Sequence, residues 1–348
     1  MEFLFSNLAP VKTKYNTFDK EFYDLLGRSN ELNIAVGYVT ADSISELHKT
    51  LEINKGKKLN LIIGMHYLDL FTRMEYNAAS RLHEYLKDES MGSVRLVTPF
   101  RFHGKLYTYF KDGNPVAGII GSNNLSSIVS QPNRIYEASC IFKDSKMILE
   151  MNNFISELSK RATRTLDELE INTFKNNNPL LENHEHVSKV PEAEVDRLLN
   201  SKTGEHYSIE LKDTPRSNLN VFFGKGRLQA NGIIRPRHWY EVEIIVSKQV
   251  TSLPGYPQSQ TDSATFDVVT DDGWRFKCKV SGDYSKNFRS ADDLQILGKW
   301  IKGRLEQSGA LNVGDLVTKE TYDRYGNNSI TLSKTKEQGV WLLEFRGN

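Results

Sequence analysis

Cysteine is almost missing from this chain: 348 residues hold two, Cys140 and Cys278, far apart in different halves. That spacing excludes a disulfide framework and a cysteine-based zinc site. No apolar run approaches the roughly 18 residues that a membrane-spanning helix needs. The opening MEFLFSNLAP has neither the basic region nor the long apolar core of a secretory leader. These absences predict a cytoplasmic protein with no membrane partner. Charge of one sign is also lacking. Lys and Arg number 45 and Asp and Glu 44, for a net charge of +1. A histone-like tail or a uniformly basic nucleic-acid binder is excluded, while a local basic patch on a neutral domain is not. What the chain does have is 39% hydrophobic and 10% aromatic residues, enough for packed cores. At about 100–200 residues per domain, the length predicts two domains.

The first half alternates helix and strand signals. FDKEFYDLLGRS (18–29) has helical spacing, and LNIAVGYV (32–39) is a short β-branched apolar run typical of a buried strand. ADSISELHKTLEINKG is helical with a glycine stop, KLNLIIGMH (58–66) a second strand, YNAASRLHEYLKDES (76–90) a helix and SVRLVT (93–98) a third strand. This order predicts an α/β sheet covered by helices. HGKLYTYF (103–110) and VAGIIGS (116–122) then flank an Asp112-Gly113 turn and predict a hairpin. IYEASCIF (135–142) predicts another strand, and KMILEMNNFISELSKRAT a helix. Residues 176–200, polar with scattered proline, are read as a linker between a domain at 1–175 and one at 201–348. The second is read as mainly β, with strands at HYSIEL, LNVFFG, YEVEIIVS, ATFDVVT, WRFKCKVSG, DLVTKETY, SITLSKT and VWLLEF. One helix (292–309) interrupts them, and a β-barrel-like fold follows.

Chemistry concentrates in Phe102-His103-Gly104-Lys105-Leu106. Strand alternation puts His103 and Lys105 on one face. Both lose solvation of their charged forms in a core, but together they suit a phosphate: Lys105 as a point charge, His103 as nucleophile or acid. Gly121-Ser122-Asn123-Asn124 closes the strand paired with theirs, so Ser122 and Asn124 are placed to donate to phosphoryl oxygens. Glu137, on the next strand, is a carboxylate suited to orient an imidazole. The other histidines read as bland. His184-Glu185-His186 lies in the linker without zinc-site spacing, and His48 and His83 fall on helix surfaces. His66 is read either as structural or as close to the site. No Asp/Glu cluster of the kind that holds two metal ions stands out, so no metal site is expected.

These motifs resemble the phospholipase D superfamily, whose signature is HxK, a GSxN element and a downstream acid. Here they read His103-x-Lys105, Gly121-Ser122-x-Asn124 and Glu137. Phe110 stands seven residues after His103, where many members carry Asp, and this points away from the lipase branch. With its β-rich second half, the chain is similar over nearly its full length to the NgoFVII-type group of metal-independent restriction endonucleases. The resemblance implies a phospholipase-D-like sheet sandwiched by helices, followed by a B3-like pseudobarrel that recognises double-stranded DNA. It also implies a homodimer, because superfamily sites use two His/Lys pairs and this chain has one. No cofactor is implied for hydrolysis, and ATP only through a helicase-like partner subunit. A companion methyltransferase would protect host DNA.

One stretch fits DNA contact. From Thr214 to Tyr240 there are five cations, Arg216, Lys225, Arg227, Arg235 and Arg237, and no anion. Gln229 and Asn231 add amides able to read base edges. Lys286, Asn287 and Arg289 form a second candidate loop. Two readings from other classes remain at this level: a DNA-binding protein with an inactive nuclease-like domain, and a lipid phosphodiesterase.

Overall fold

The computed structural model describes residues 1–129, 135–174, 180–261 and 264–347. The chain divides into two compact units: Met1–Asn177 with Arg227–Pro236, and Asn178–Gly226 with Arg237–Asn348.

The first unit runs β1 (Glu2–Phe5), α1 (Phe18–Arg28), β2 (Glu31–Val36), α2 (Ala41–Ile53), β3 (Lys58–Ile63), the short α3 (His66–Asp69), α4 (Arg73–Asp88), β4 (Gly92–Val97), β5 (Lys105–Lys111), β6 (Asn114–Gly121), β7 (Ala138–Phe142), α5 (Ser145–Ala162) and β8 (Thr163–Thr165). Its eight strands lie in the order β1-β7-β6-β5-β2-β3-β4-β8. β2, β3 and β4 are parallel, and β5 runs antiparallel to β2. Period-2 alternation divides β5 between two layers. Leu106 packs with Ala35, Ile62 and Val97 against Ile155, Leu158 and Ala162 of α5. Tyr107 and Tyr109, both fully buried, face the other way, onto Phe18 and Phe22 of α1. The expected sheet sandwiched by helices is present.

The second unit continues with β9 (Ser188–Lys189), α6 (Glu192–Asn200) and β10 (Lys202–Glu210). The paired strands β11 (Arg227–Leu228) and β12 (Ile234–Arg235) belong to the first unit. The second unit resumes with β13 (Ile244–Ile245), α7 (Lys248–Thr251), β14 (Thr265–Thr270), β15 (Trp274–Ser281), β16 (Asn287–Ser290), α8 (Gln295–Gln307), α9 (Lys319–Tyr325), β17 (Ser329–Thr335) and β18 (Val340–Glu344). Its sheet has the order β10-β17-β18-β14-β15-β16-β13, with β9 on β15.

Several expectations are corrected. The span read as a linker is folded over much of its length: Val190, Val195 and Leu198, from the β9–α6 segment, pack on Val269, Val340 and Leu342. Residues 176–179 of that span lie outside the described residues. DLVTKETY is not a strand. Thr318 and Thr321 form a reciprocal cap that starts α9, and Gly326, at φ 84°, ends it in the left-handed region. LNVFFG is a 3₁₀ turn over Val221–Phe223. β1, which carried no sequence signal beyond four residues, completes the sheet edge against β7. No helix among the described residues is long and apolar enough to cross a membrane.

Candidate active site

The central strands converge on one point. Val36, the last residue of β2, pairs with Lys105, the first of β5, so the chain leaving β2 emerges beside His103. β3 ends next to it: Phe102 N–H donates to the Gly64 carbonyl at 3.1 Å. His103 lies just before β5 and is exposed, whereas Lys105 is buried. The Lys105 Nζ stands 3.1 Å from both ring nitrogens of His103 and donates to the His103 carbonyl at 2.8 Å. Cation and imidazole are therefore brought together, as HxK spacing leads one to expect. Burial pulls the Lys105 ammonium below the ordinary lysine value, and the charge of Glu137 pushes it back up.

Two glycines make room for this geometry. A Cβ on Gly64 would lie 2.0 Å from the Phe102 carbonyl oxygen, and one on Gly37 3.0 Å from His103 Cδ2. A side chain at Gly64 would displace the segment that carries His103, and one at Gly37 would press on the His103 ring.

Sequence reading gives Tyr38 itself no role, and the structure brings it to the site. Its ring meets His103 edge-on, with centroids 5.7 Å apart, and its hydroxyl donates to Asp69 Oδ2 at 2.7 Å. Arg101 donates to the other Asp69 oxygen at 2.7 Å. His66, left open between two roles, is buried and structural. Its Nε2 accepts from Val39 N–H at 3.1 Å, and its ring stacks on Phe71, so it braces the loop that holds Tyr38. A glycine-aromatic pair at a strand end was the only available signal for Tyr38.

The GSNN element divides its work. Asn124 Oδ1 accepts from Tyr38 N–H at 3.0 Å, which leaves the amide Nδ2 as its donor end. Ser122 does not present its hydroxyl to the site. That hydroxyl accepts from Ala138 N–H at 3.0 Å and donates to the Ala138 carbonyl at 3.2 Å, tying β6 to the start of β7. Asn123 is the buried member; its Oδ1 accepts from the Ser139 hydroxyl at 2.6 Å. Glu137 precedes β7 rather than lying on it, anchored by its N–H to Ser6 Oγ at 2.9 Å. Its charge acts on Lys105, and among the described residues no hydrogen bond joins it to His103. Glu137, Asn123, Ser127, Asp19, Lys20 and Arg235 line one cavity of about 480 Å³ in this unit.

The expected DNA contacts are scattered. Arg216, Lys225, Arg227 and Lys286 are exposed. Gln229 is half-buried, and its amide donates to the Arg227 carbonyl. Asn287 and Arg289 are half-buried on β16. Arg237 is paired with Glu241 at 2.8 Å. Two assignments are corrected because the side chains are spent inside the first unit. Asn231 donates to the Tyr23 carbonyl at 2.8 Å, and Arg235 pairs with the buried Glu46 at 2.5 Å. Tyr284, 66% exposed beside Lys248 and two residues from Lys286, is an aromatic the sequence did not single out. His83 and His184 are buried rather than solvated: His83 Nδ1 accepts from Val94 N–H, and His184 lies 3.7 Å from Asp293. No group of three or more potential metal ligands gathers among the described residues.

Comparison with known proteins accounts for both units. Residues 16–171 match the NgoFVII restriction endonuclease N-terminal PLD domain, and residues 197–336 the NgoFVII C-terminal B3-like DNA-binding domain. No protein of curated function matches the chain. Among solved structures, a phosphatidylserine synthase of Haemophilus influenzae Rd KW20 is similar at 18% identity and a TM-score of 0.34. That match covers 49% of this chain and 41% of the synthase. A phospholipase-D-like α/β unit that holds His103 against Lys105, followed in sequence by a mainly-β B3-like unit, makes this chain a member of the NgoFVII restriction endonuclease family.

Proposed function

We propose that the chain cleaves double-stranded DNA at a specific sequence, without a metal ion, through a phosphohistidine formed at a homodimer interface. The observation that carries this is the Lys105 ammonium 3.1 Å from the His103 ring in a site open to solvent. In the free enzyme the imidazole and the His103 carbonyl occupy the ammonium. A phosphodiester would take it over and leave the ring nitrogen free to attack.

The reaction has two balanced steps. A nitrogen of His103 attacks phosphorus while the bond to the leaving oxygen breaks, and the partner subunit's His103 gives that oxygen a proton. The partner subunit's His103 then takes a proton from water, the hydroxide attacks phosphorus, and the phosphorus–nitrogen bond breaks to restore the imidazole. Lys105 and the Asn124 amide hold the charge that builds on the non-bridging oxygens, each oriented donor contributing about 3 kcal/mol. Glu137 raises the affinity of Lys105 for its proton against the effect of burial, and Ser122 fixes the strand ends behind Asn124. Arg216, Lys225 and Lys286 supply phosphate contacts from the B3-like unit. The dimer requirement follows from the single His/Lys pair of the chain. Restriction by such an enzyme calls for a companion methyltransferase, with ATP entering only through a separate helicase-like subunit.

The experiment is plasmid cleavage in excess EDTA by the wild type and by His103→Ala. The proposal expects cleavage by the first and none by the second. Cleavage lost to the chelator would overturn the metal-free mechanism, and cleavage by His103→Ala the nucleophile. A folded dimer that binds DNA and never cuts it would mean an inactive nuclease-like domain.

A further inference from the structure

The strands β11 and β12 are encoded amid the residues of the B3-like unit but fold as part of the nuclease unit. Their attachment is specific. Asn54, at the end of α2, treats Ile234 as a neighbouring strand would: its Oδ1 accepts from Ile234 N–H at 3.0 Å and its Nδ2 donates to the Ile234 carbonyl at 2.9 Å. Asn231 donates to the Tyr23 carbonyl, and Gly27 leaves room for it, since a Cβ there would lie 3.0 Å from the Asn231 carbonyl oxygen.

Arg235 is the centre of the attachment. Its Nε donates to Glu46 Oε1 at 2.5 Å, and its guanidinium lies over the Tyr23 ring, 4.3 Å from the centroid. The Tyr23 hydroxyl donates to the same Glu46 oxygen at 2.8 Å. Glu46 is 1% exposed, so this charge has no water to turn to. The other arm of Arg235 leaves the cluster: its Nη2 donates to the Ile128 carbonyl at 2.6 Å.

Ile128 ends the 3₁₀ turn Leu125–Ile128, and Asn124 is the residue that caps its start. Within the turn Ser127 N–H donates to the Asn124 carbonyl at 2.9 Å. Asn124 in turn holds Tyr38 N–H, and Tyr38 packs on His103. A path of direct contacts thus runs from Arg235 to the active-site amide in a single four-residue turn.

We infer that Arg235 is a positioning residue for cleavage: it anchors the far end of the Leu125–Ile128 turn and thereby sets the Asn124 amide against the phosphate. The inference rests on the nuclease reading above. It assigns to catalysis a cation that its sequence neighbourhood assigns to DNA binding.

The test measures kcat and KM for DNA cleavage by Arg235→Ala, Arg235→Lys and Glu46→Gln, each checked for folding by circular dichroism. Arg235→Ala is expected to lower kcat by about tenfold to a hundredfold, the range for a displaced catalytic group, with KM within about threefold of wild type. Arg235→Lys, which keeps one of the two bonds, recovers part of that loss. In an Asn124→Ala background, Arg235→Ala costs no more than about threefold further, because the two act on one path. An unchanged kcat overturns the inference. So does a raised KM with a salt slope shallower by about one, the mark of a lost phosphate contact. Full additivity with Asn124→Ala overturns it as well. Should Arg235→Ala fail to fold, Arg235→Lys and Glu46→Gln decide by the same criteria. A wild type that does not cut DNA at all refutes the nuclease reading instead.

Discussion

Gly64→Ala puts one methyl group against the backbone that carries the nucleophile. The added Cβ would lie 2.0 Å from the Phe102 carbonyl oxygen and 2.8 Å from the Phe102 carbonyl carbon. Ordinary contact begins near 3.4 Å, so one of the two backbones must give by more than 1 Å. Neither is a flexible tip: Gly64 N–H is bonded to Val36 and Phe102 N–H to Gly64, at the ends of buried strands. The displacement passes to His103, the next residue. A misplacement of about 1 Å costs roughly 100-fold in rate, or about 2.7 kcal/mol of barrier. Overpacking of this kind costs about 1–3 kcal/mol of stability. Gly37→Ala is the graded comparison, since its Cβ would meet the His103 ring at 3.0 Å and the ring can turn away. The assay is single-turnover plasmid cleavage with a thermal melt on each variant. The reasoning predicts a loss of about 100-fold for Gly64→Ala and a smaller one for Gly37→Ala. Gly64→Ala cutting within about threefold of wild type would refute it.

Further outcomes follow from the same structure. Glu137→Gln removes the charge that raises the Lys105 ammonium's affinity for its proton, so the alkaline limb of the pH–rate profile should move to lower pH; an unmoved limb would separate Glu137 from Lys105. Lys302 is fully buried, with its pKa brought down from 10.5 to about 7 by burial. Above the folded value and below the ordinary lysine value the unfolded chain binds the extra proton, so Lys302 makes stability rise with pH; Lys302→Met should flatten that rise in urea-measured stability. Asn220 is fully buried and pairs both backbone groups of Val317, at 2.8 and 2.9 Å. Asn220→Leu orphans both and should cost about 2–5 kcal/mol in denaturant titration. Lys286→Ala should weaken DNA binding similarly for all sequences and lower the salt slope by about one, read by fluorescence anisotropy; a loss confined to one sequence would make Lys286 a base reader instead.

What was legible in the sequence was local. His103 and Lys105 are two residues apart, and HxK states their shared face without knowledge of the fold. The hairpin that brings Asn124 near them was readable from one Asp-Gly turn. Tyr38 was not, because it reaches His103 from the end of a strand 65 residues upstream, and only the β2–β5 pairing joins them. The basic run from Thr214 to Tyr240 misled for a related reason. Charge density in sequence does not say which cation is buried, and the partner that buries Arg235 is Glu46, 189 positions away on α2. Strand pairing and the GSxN pattern place Ser122 near the site, but they do not say where its hydroxyl bonds, and a serine at a strand end serves the neighbouring backbone equally well. The strand reading of DLVTKETY failed because β-branched residues also cap helices, and the paired Thr318 and Thr321 do so here.

The covalent step is the centre of the account, and the configuration at phosphorus reports it directly. A DNA substrate with one chiral phosphorothioate at the cleaved position, cut in isotopically labelled water, records whether phosphorus was displaced once or twice. Attack by His103 followed by attack of water is two inversions, and the account predicts net retention. Inversion would mean that water strikes the phosphodiester in a single step, with no bond to His103, and would contradict it.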